Sequence, residues 1–122
     1  MNFNNSVIDW KQVDNVISSS NRILLTTHEN PDGDGLGSEV AMYHHLCDEK
    51  KDVKIINCSI TPSMFDYINE SGCIETYNES YHLEWLKKCE LVIVFDVGDF
   101  NRTRDVKDCL LYTSPSPRDD EL

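Results

Sequence analysis

The sequence predicts an α/β fold built on a parallel sheet, and three observations carry that prediction. Short apolar runs at Ile23–Leu25, Val53–Cys58 and Leu91–Phe95 have strand length and are bounded by turn formers or charge. Segments with helical periodicity separate them. Acidic and imidazole side chains follow the first and last runs directly: His28, Asp32 and Asp34 after one, Asp96 after the other. Strands alternating with helices imply right-handed crossovers, so all strand ends carrying these residues fall on one edge of the sheet.

In chain order, residues 8–20 read as a helix with Ile8, Trp10, Val13 and Ile17 near one face, closed by Ser18-Ser19-Ser20-Asn21. Ile23–Leu25 is the first buried strand. The loop ENPDGDG follows, and a helix from Leu36 to about Lys50 places Leu36, Val40, Tyr43 and Cys47 on one face. Ser38 and Glu39 near its start and Lys50-Lys51 at its end suit the helix dipole. Val53–Cys58 is a second strand. Thr61-Pro62-Ser63 opens a short helical or irregular segment that Gly72 ends, and Ile74–Tyr77 is a short strand. His82–Lys88 reads as a helix with Leu83 and Leu86 inward, and Leu91–Phe95 as a strand buried on both faces.

One imidazole and two carboxylates within seven residues form a metal-ligand set, and its oxygen-rich character suits Mn²⁺ or Mg²⁺ better than a structural zinc. Gly33 is expected to take φ > 0 so that Asp32 and Asp34 face one cavity. Gly35 and Gly37 would let the helix start close to the strand and offer N–H groups to an anion. A plain acidic turn would explain Asn30-Pro31-Asp32-Gly33 but neither His28 nor the second Asp-Gly. The spacing does not match a dinucleotide-binding glycine loop. Asp96, arriving from another strand end, would bridge two divalent cations about 3.5–4 Å apart. Without cations, crowded carboxylates would raise one another's pKa. Asp99 is a weaker candidate, balanced between capping a turn and supporting the ligands. Arg102 and Arg104 are balanced between meeting substrate phosphate and lying on the surface. The tandem His44-His45 falls mid-helix and reads as a solvated face, and His82 as a surface residue.

The bulk properties narrow the function further. The 122 residues suffice for one small domain with a core, and 39% hydrophobic and 27% charged residues are ordinary globular composition. A formal net charge of −11 argues against a broad nucleic-acid-binding face, and substrate phosphates would need metal ions to offset the field. No run is long enough for a membrane span and the first ten residues lack a signal-peptide pattern, so a cytoplasmic protein without membrane partners is expected. Five cysteines at 47, 58, 73, 89 and 109, without a C-x-x-C, read as reduced thiols in the core or incidental.

HENPDGDGLGS resembles the first motif of the DHH phosphoesterases, H-x-x-P-D-x-D-x-x-G-S, and VFDVGD resembles their second motif. The wording is nearest the bacterial nanoRNase/pAp-phosphatase branch, and the resemblance covers about residues 8–108. It implies a Rossmann-like, three-layer parallel-sheet domain, two Mn²⁺ ions and a two-metal hydroxide mechanism acting on short oligoribonucleotides or the adenosine bisphosphate pAp, with a cyclic-dinucleotide product or related phosphodiester as a further alternative. His28, Asp32 and Asp96 would hold one ion, Asp34 and Asp96 part of the second, and His28 and Asp96 would be catalytic. Gly35 stands where the family usually has Ala. The family's Asp-His-His motif, fourth metal Asp and C-terminal substrate-binding domain are not found, so a truncated domain, inactive by itself, is expected; the resemblance leaves a homodimeric full-length parent open. From Cys109, CLLYTSPSPRD back-translates to a string that looks like a sequencing-library adapter. The expected boundaries are therefore 1–108 for the domain and 109–122 for a disordered, translated-adapter tail. Two other readings remain: phosphotransfer with Asp96 as nucleophile, and a non-catalytic fragment.

Overall fold

A computed structural model describes residues 9–96 and 100–108. Four strands, β1 (Arg22–Thr26), β2 (Asp52–Asn57), β3 (Ile74–Thr76) and β4 (Leu91–Val94), form one sheet in the order β3-β2-β1-β4. Every pairing is parallel, as the strand–helix alternation predicts. The helices are α1 (Trp10–Ser19), α2 (Gly33–Asp48) and α3 (Glu79–Lys87), with 3-10 turns at Ser63–Phe65 and Phe100–Thr103.

Strand alternation sorts the core into two layers on either side of the sheet. Ile23 and Leu25 of β1 join Val53 and Ile55 of β2 against Leu36 and Leu46 of α2, with Ile17 of α1 packed at the margin. Leu24 and Ile56 point the other way, against Leu86 of α3 and Val106 of the helical turn at residues 105–108. The result is a three-layer α/β sandwich around a central strand buried from Ile23 to Thr26. The strand order places β2 and β4 on opposite sides of β1, one after α2 and the other after α3. Those helices lie on opposite faces. That reversal creates a crevice beyond the carboxyl ends of β1 and β4, where open α/β sheets bind ligands.

Several expectations are corrected. α2 begins three residues before Leu36, at Gly33, because Asp32 is its N-cap and accepts the Gly35 N–H at 3.0 Å. Gly33 is therefore helical; Asn30, at φ 51°, supplies the left-handed step in this loop. Cys47 is exposed, whereas Leu46 and Glu39 are buried, so the inward face of α2 is rotated from the one read from periodicity. β4 is half-buried rather than enclosed on both faces: it lies at the edge of the described sheet and pairs with β1. Beside it an apolar groove of about 470 Å³ opens between Val13, Val16 and Ile17 of α1, Met42, Leu91 and Ile93. The apolar face of α1 is correspondingly exposed, with Trp10 at 69%. His82 is buried, not on the surface: its Nδ1 accepts the Asn78 N–H at 2.9 Å, leaving Nε2–H to meet Glu75 Oε1 at 2.8 Å. His44 and His45 are exposed, as read. Cys47, Cys58, Cys73 and Cys89 are free thiols, and Cys73 alone of these is buried.

Candidate metal centre

The sequence makes the loop after β1 turn sharply, and the turn delivers two of the three ligands. Thr27 is buried, and its N–H donates to Asn57 Oδ1 at 3.1 Å while its hydroxyl donates to the Phe95 carbonyl at 2.7 Å. The next residue, His28, is 7% exposed, and its Nδ1 lies 2.6 Å from the Glu29 carbonyl. A carbonyl only accepts, so Nδ1 carries the hydrogen and the Nε2 lone pair is left for a ligand. That Nε2 stands 3.6 Å from Asp96 Oδ2.

Asp96 lies two residues past the end of β4, after Phe95, and has φ 55°. Aspartate is one of the few non-glycine residues that tolerate this left-handed conformation, which turns the chain immediately after the strand. Asp32 arrives through its capping role. Its Gly35 N–H bond holds the carboxyl below the usual aspartate range, and nearby His28 acts in the same direction. The expected mutual raising of carboxylate pKa does not govern Asp32: the donated N–H at the helix start outweighs desolvation, the one effect that raises it, and a hydrogen bond with Asp96 lowers it further.

One ligand atom each from His28, Asp32 and Asp96 lies within 4.8 Å of the other two. In an octahedral ion with bonds of about 2.0–2.1 Å the three ligand atoms of one face would be about 2.9 Å apart, so inward shifts of about 1 Å would close the set. A neutral imidazole with two carboxylates suits a hard or borderline divalent cation, and the residues fit such an ion. The described residues thus supply one N,O,O face. Asp34 is exposed in the first turn of α2, two residues after Asp32, and is not among the three whose ligand atoms lie within 4.8 Å of one another. Asp99 lies outside the described residues, as does the tail from Cys109.

The segment after Asp96 folds back over the loop. The Glu29 N–H donates to the Arg102 carbonyl at 2.8 Å. Arg104 Nε and Nη2 grip Glu29 Oε1 and Oε2 at 3.0 and 2.9 Å, which lowers the Glu29 pKa. Arg104 is thus engaged as a clamp on the loop, while Arg102 is exposed.

Residue reading by itself passed over Thr27, Asn57 and the burial of Glu39. Glu39 is wholly buried, with Oε1 accepting from Asn57 Nδ2 at 3.0 Å. A usable signal was present, since Glu39 sits three residues after Leu36 in an apolar helical stripe.

A parallel α/β domain with an imidazole–carboxylate cluster at its switch point has the donor set to hold a divalent cation there. The family model described as "DHH family, N-terminal domain" matches residues 22–112, and the chain belongs to the DHH family. That match runs past the expected boundary at Asp108. The crystal structure of an exopolyphosphatase-related protein from Bacteroides fragilis is similar, with a TM-score of 0.76 at 20% identity. The similarity covers 84% of this chain and 31% of that one, so the chain spans about a third of its length. No curated protein matches the chain. Among the described residues no helix is long and apolar enough to cross a membrane.

Proposed function

We propose that this domain contributes the metal centre of a cytoplasmic, Mn²⁺-dependent phosphoesterase that hydrolyses short oligoribonucleotides or pAp. The observation that carries this reading is the convergence of His28, Asp32 and Asp96 at one rim, 4.8 Å or less apart, in a chain of the DHH family. Mg²⁺ is the alternative ion for the same donors. Two bound cations would supply water activation and polarisation of the phosphoryl oxygens.

The chain's own residues do the positioning. His28 presents Nε2 because Glu29 takes its Nδ1–H. Asp32 stays ionised because the Gly35 N–H holds it so. Asp96 faces His28 and would be the bridging ligand; Asp34, exposed in the first turn of α2, would serve the second ion. The acidic surface leaves cations to attract the substrate phosphate, so binding is local rather than through a broad face. The boundary at residue 108 and a homodimeric whole protein belong to the same reading.

The test is phosphate release from pAp, from short RNA and from polyphosphate, with Mn²⁺ and after chelation. It is run on the 122-residue chain and on the product of the genomic reading frame continued past Asp108. The expected result is Mn²⁺-dependent release from pAp or RNA by the longer product and little from the chain itself. Release that survives chelation, or a phosphorylated Asp96 trapped during turnover, would overturn the metal reading in favour of aspartate phosphotransfer.

A further inference from the structure

We infer that Glu39 is a positioning residue for the candidate metal centre: a buried carboxyl that, through Asn57 and Thr27, sets where His28 and Asp96 stand. The inference rests on the metal reading above for its purpose, but on hydrogen-bond geometry for its content.

The connection runs through four fully buried residues, Glu39, Asn57, Thr26 and Thr27. Asn57 ends β2, and its side-chain amide lies between helix and loop. Nδ2 donates to Glu39 Oε1 at 3.0 Å; Oδ1 accepts from Thr27 N–H at 3.1 Å and from Thr26 Oγ1 at 3.5 Å. A primary amide can present either end after a half-turn. An acceptor on the α2 side removes that freedom, because only then is the carbonyl aimed at Thr27. Thr27 in turn spans the two strands that carry the ligands. Its hydroxyl bonds the Phe95 carbonyl at 2.7 Å, one step beyond the Thr26–Val94 pair that ends the ladder. His28 follows Thr27 and Asp96 follows Phe95, so this bond sits directly beneath both ligands.

A merely structural explanation for Glu39 is weak. Its Oε2 is buried and meets no hydrogen-bond partner among the described residues. Burying an unpaired carboxyl oxygen costs free energy that an apolar side chain would not incur. Burial pushes the Glu39 pKa up to about 8, so the group that meets Asn57 near neutral pH is the uncharged acid. Its function is therefore that of an acceptor of fixed position, not of a charge, and glutamine can reproduce it.

The test compares Glu39→Gln, Glu39→Met and Thr27→Val in the 122-residue chain, with two readouts: amide hydrogen exchange by NMR and Mn²⁺ affinity by calorimetry. Glu39→Met fills the space without an acceptor. It should speed exchange at the Thr27 N–H about tenfold or more while the central β1 amides keep their rates. It should also weaken Mn²⁺ binding about tenfold or more, as expected when support for a ligand is lost. Glu39→Gln should stay within about twofold of the parent in both. Thr27→Val cuts the same connection at its other end, so it carries the test if Glu39→Met does not fold; it should weaken Mn²⁺ binding about tenfold. Unchanged Thr27 exchange in Glu39→Met, Glu39→Gln behaving like Glu39→Met, or full Mn²⁺ affinity in Thr27→Val would each overturn the inference. If the parent chain bound no Mn²⁺, the metal reading would fall, and the Thr27 exchange rates would still decide the role of Glu39.

Discussion

Asp32 performs two tasks with one side chain, and a single substitution separates them. As N-cap it accepts the Gly35 N–H; as a ligand candidate it faces His28 and Asp96. Asparagine caps helices about as well as aspartate but lacks the charge. Asp32→Asn should therefore leave thermal stability within about 0.5 kcal/mol while weakening Mn²⁺ binding about tenfold or more. Calorimetry with and without Mn²⁺ reads both quantities, and undiminished affinity would remove Asp32 from the ligand set. The glycines of α2 also divide cleanly. A Cβ on Gly37 would meet nothing within 4 Å, so Gly37→Ala should stabilise by about 0.5–1 kcal/mol. A Cβ on Gly35 would stand 3.0 Å from Thr27 Oγ1, an atom already committed to the Phe95 carbonyl. Gly35→Ala should gain no stability and should loosen Mn²⁺ binding, a contrast that denaturant melts of the two variants will show.

At the scale of elements, the contact of α2 with β2 makes stability depend on pH. The folded-state pKa of Glu39 is about 8 against an ordinary 4.5, so the folded state holds this proton more tightly than the unfolded chain. Its contribution is fully present below about pH 4.5 and is lost as pH rises from there through about 8. Glu39→Gln cannot ionise, so between pH 5 and 8 its stability should fall less steeply than the parent's, the gap reaching about 2–4 kcal/mol. Parallel pH profiles of the two melting temperatures would refute this. β4 and α1 show a second lesson of this scale. Leu91-Val92-Ile93-Val94 has the composition of an enclosed strand, yet each residue is half-buried. Composition reports what a strand can bury; its place at a sheet edge decides what it does bury.

For the molecule as a whole, a cation that binds the folded state and not the unfolded one must stabilise it. At one hundred times its dissociation constant, Mn²⁺ should add about 2.7 kcal/mol, and a chelator should abolish the gain. A melting temperature indifferent to Mn²⁺ in the 122-residue chain would contradict a preformed site. Such coupling follows from the topology, because the ligands belong to loops that meet only when β1 and β4 pair.

Much of this was legible in the residues themselves. The periods of apolar residues determined strands, helices and a parallel sheet, because burying one face of a helix or both faces of a strand imposes its repeat on the chain locally. The string from His28 to Ser38 and the Asp after the last apolar run marked the ligand candidates, because metal chemistry needs those side-chain types within reach of one another. What only the tertiary structure decided is which of them meet and what lies beneath them. His28 and Asp32 meet Asp96, Arg104 clamps Glu29, and Glu39 is sealed against Asn57. These outcomes depend on strand order, helix rotation and pairs of residues 18 to 75 positions apart in the chain. Local periodicity carries no information about contacts at that separation; they are chosen by the packing of layers that form only when the chain has folded.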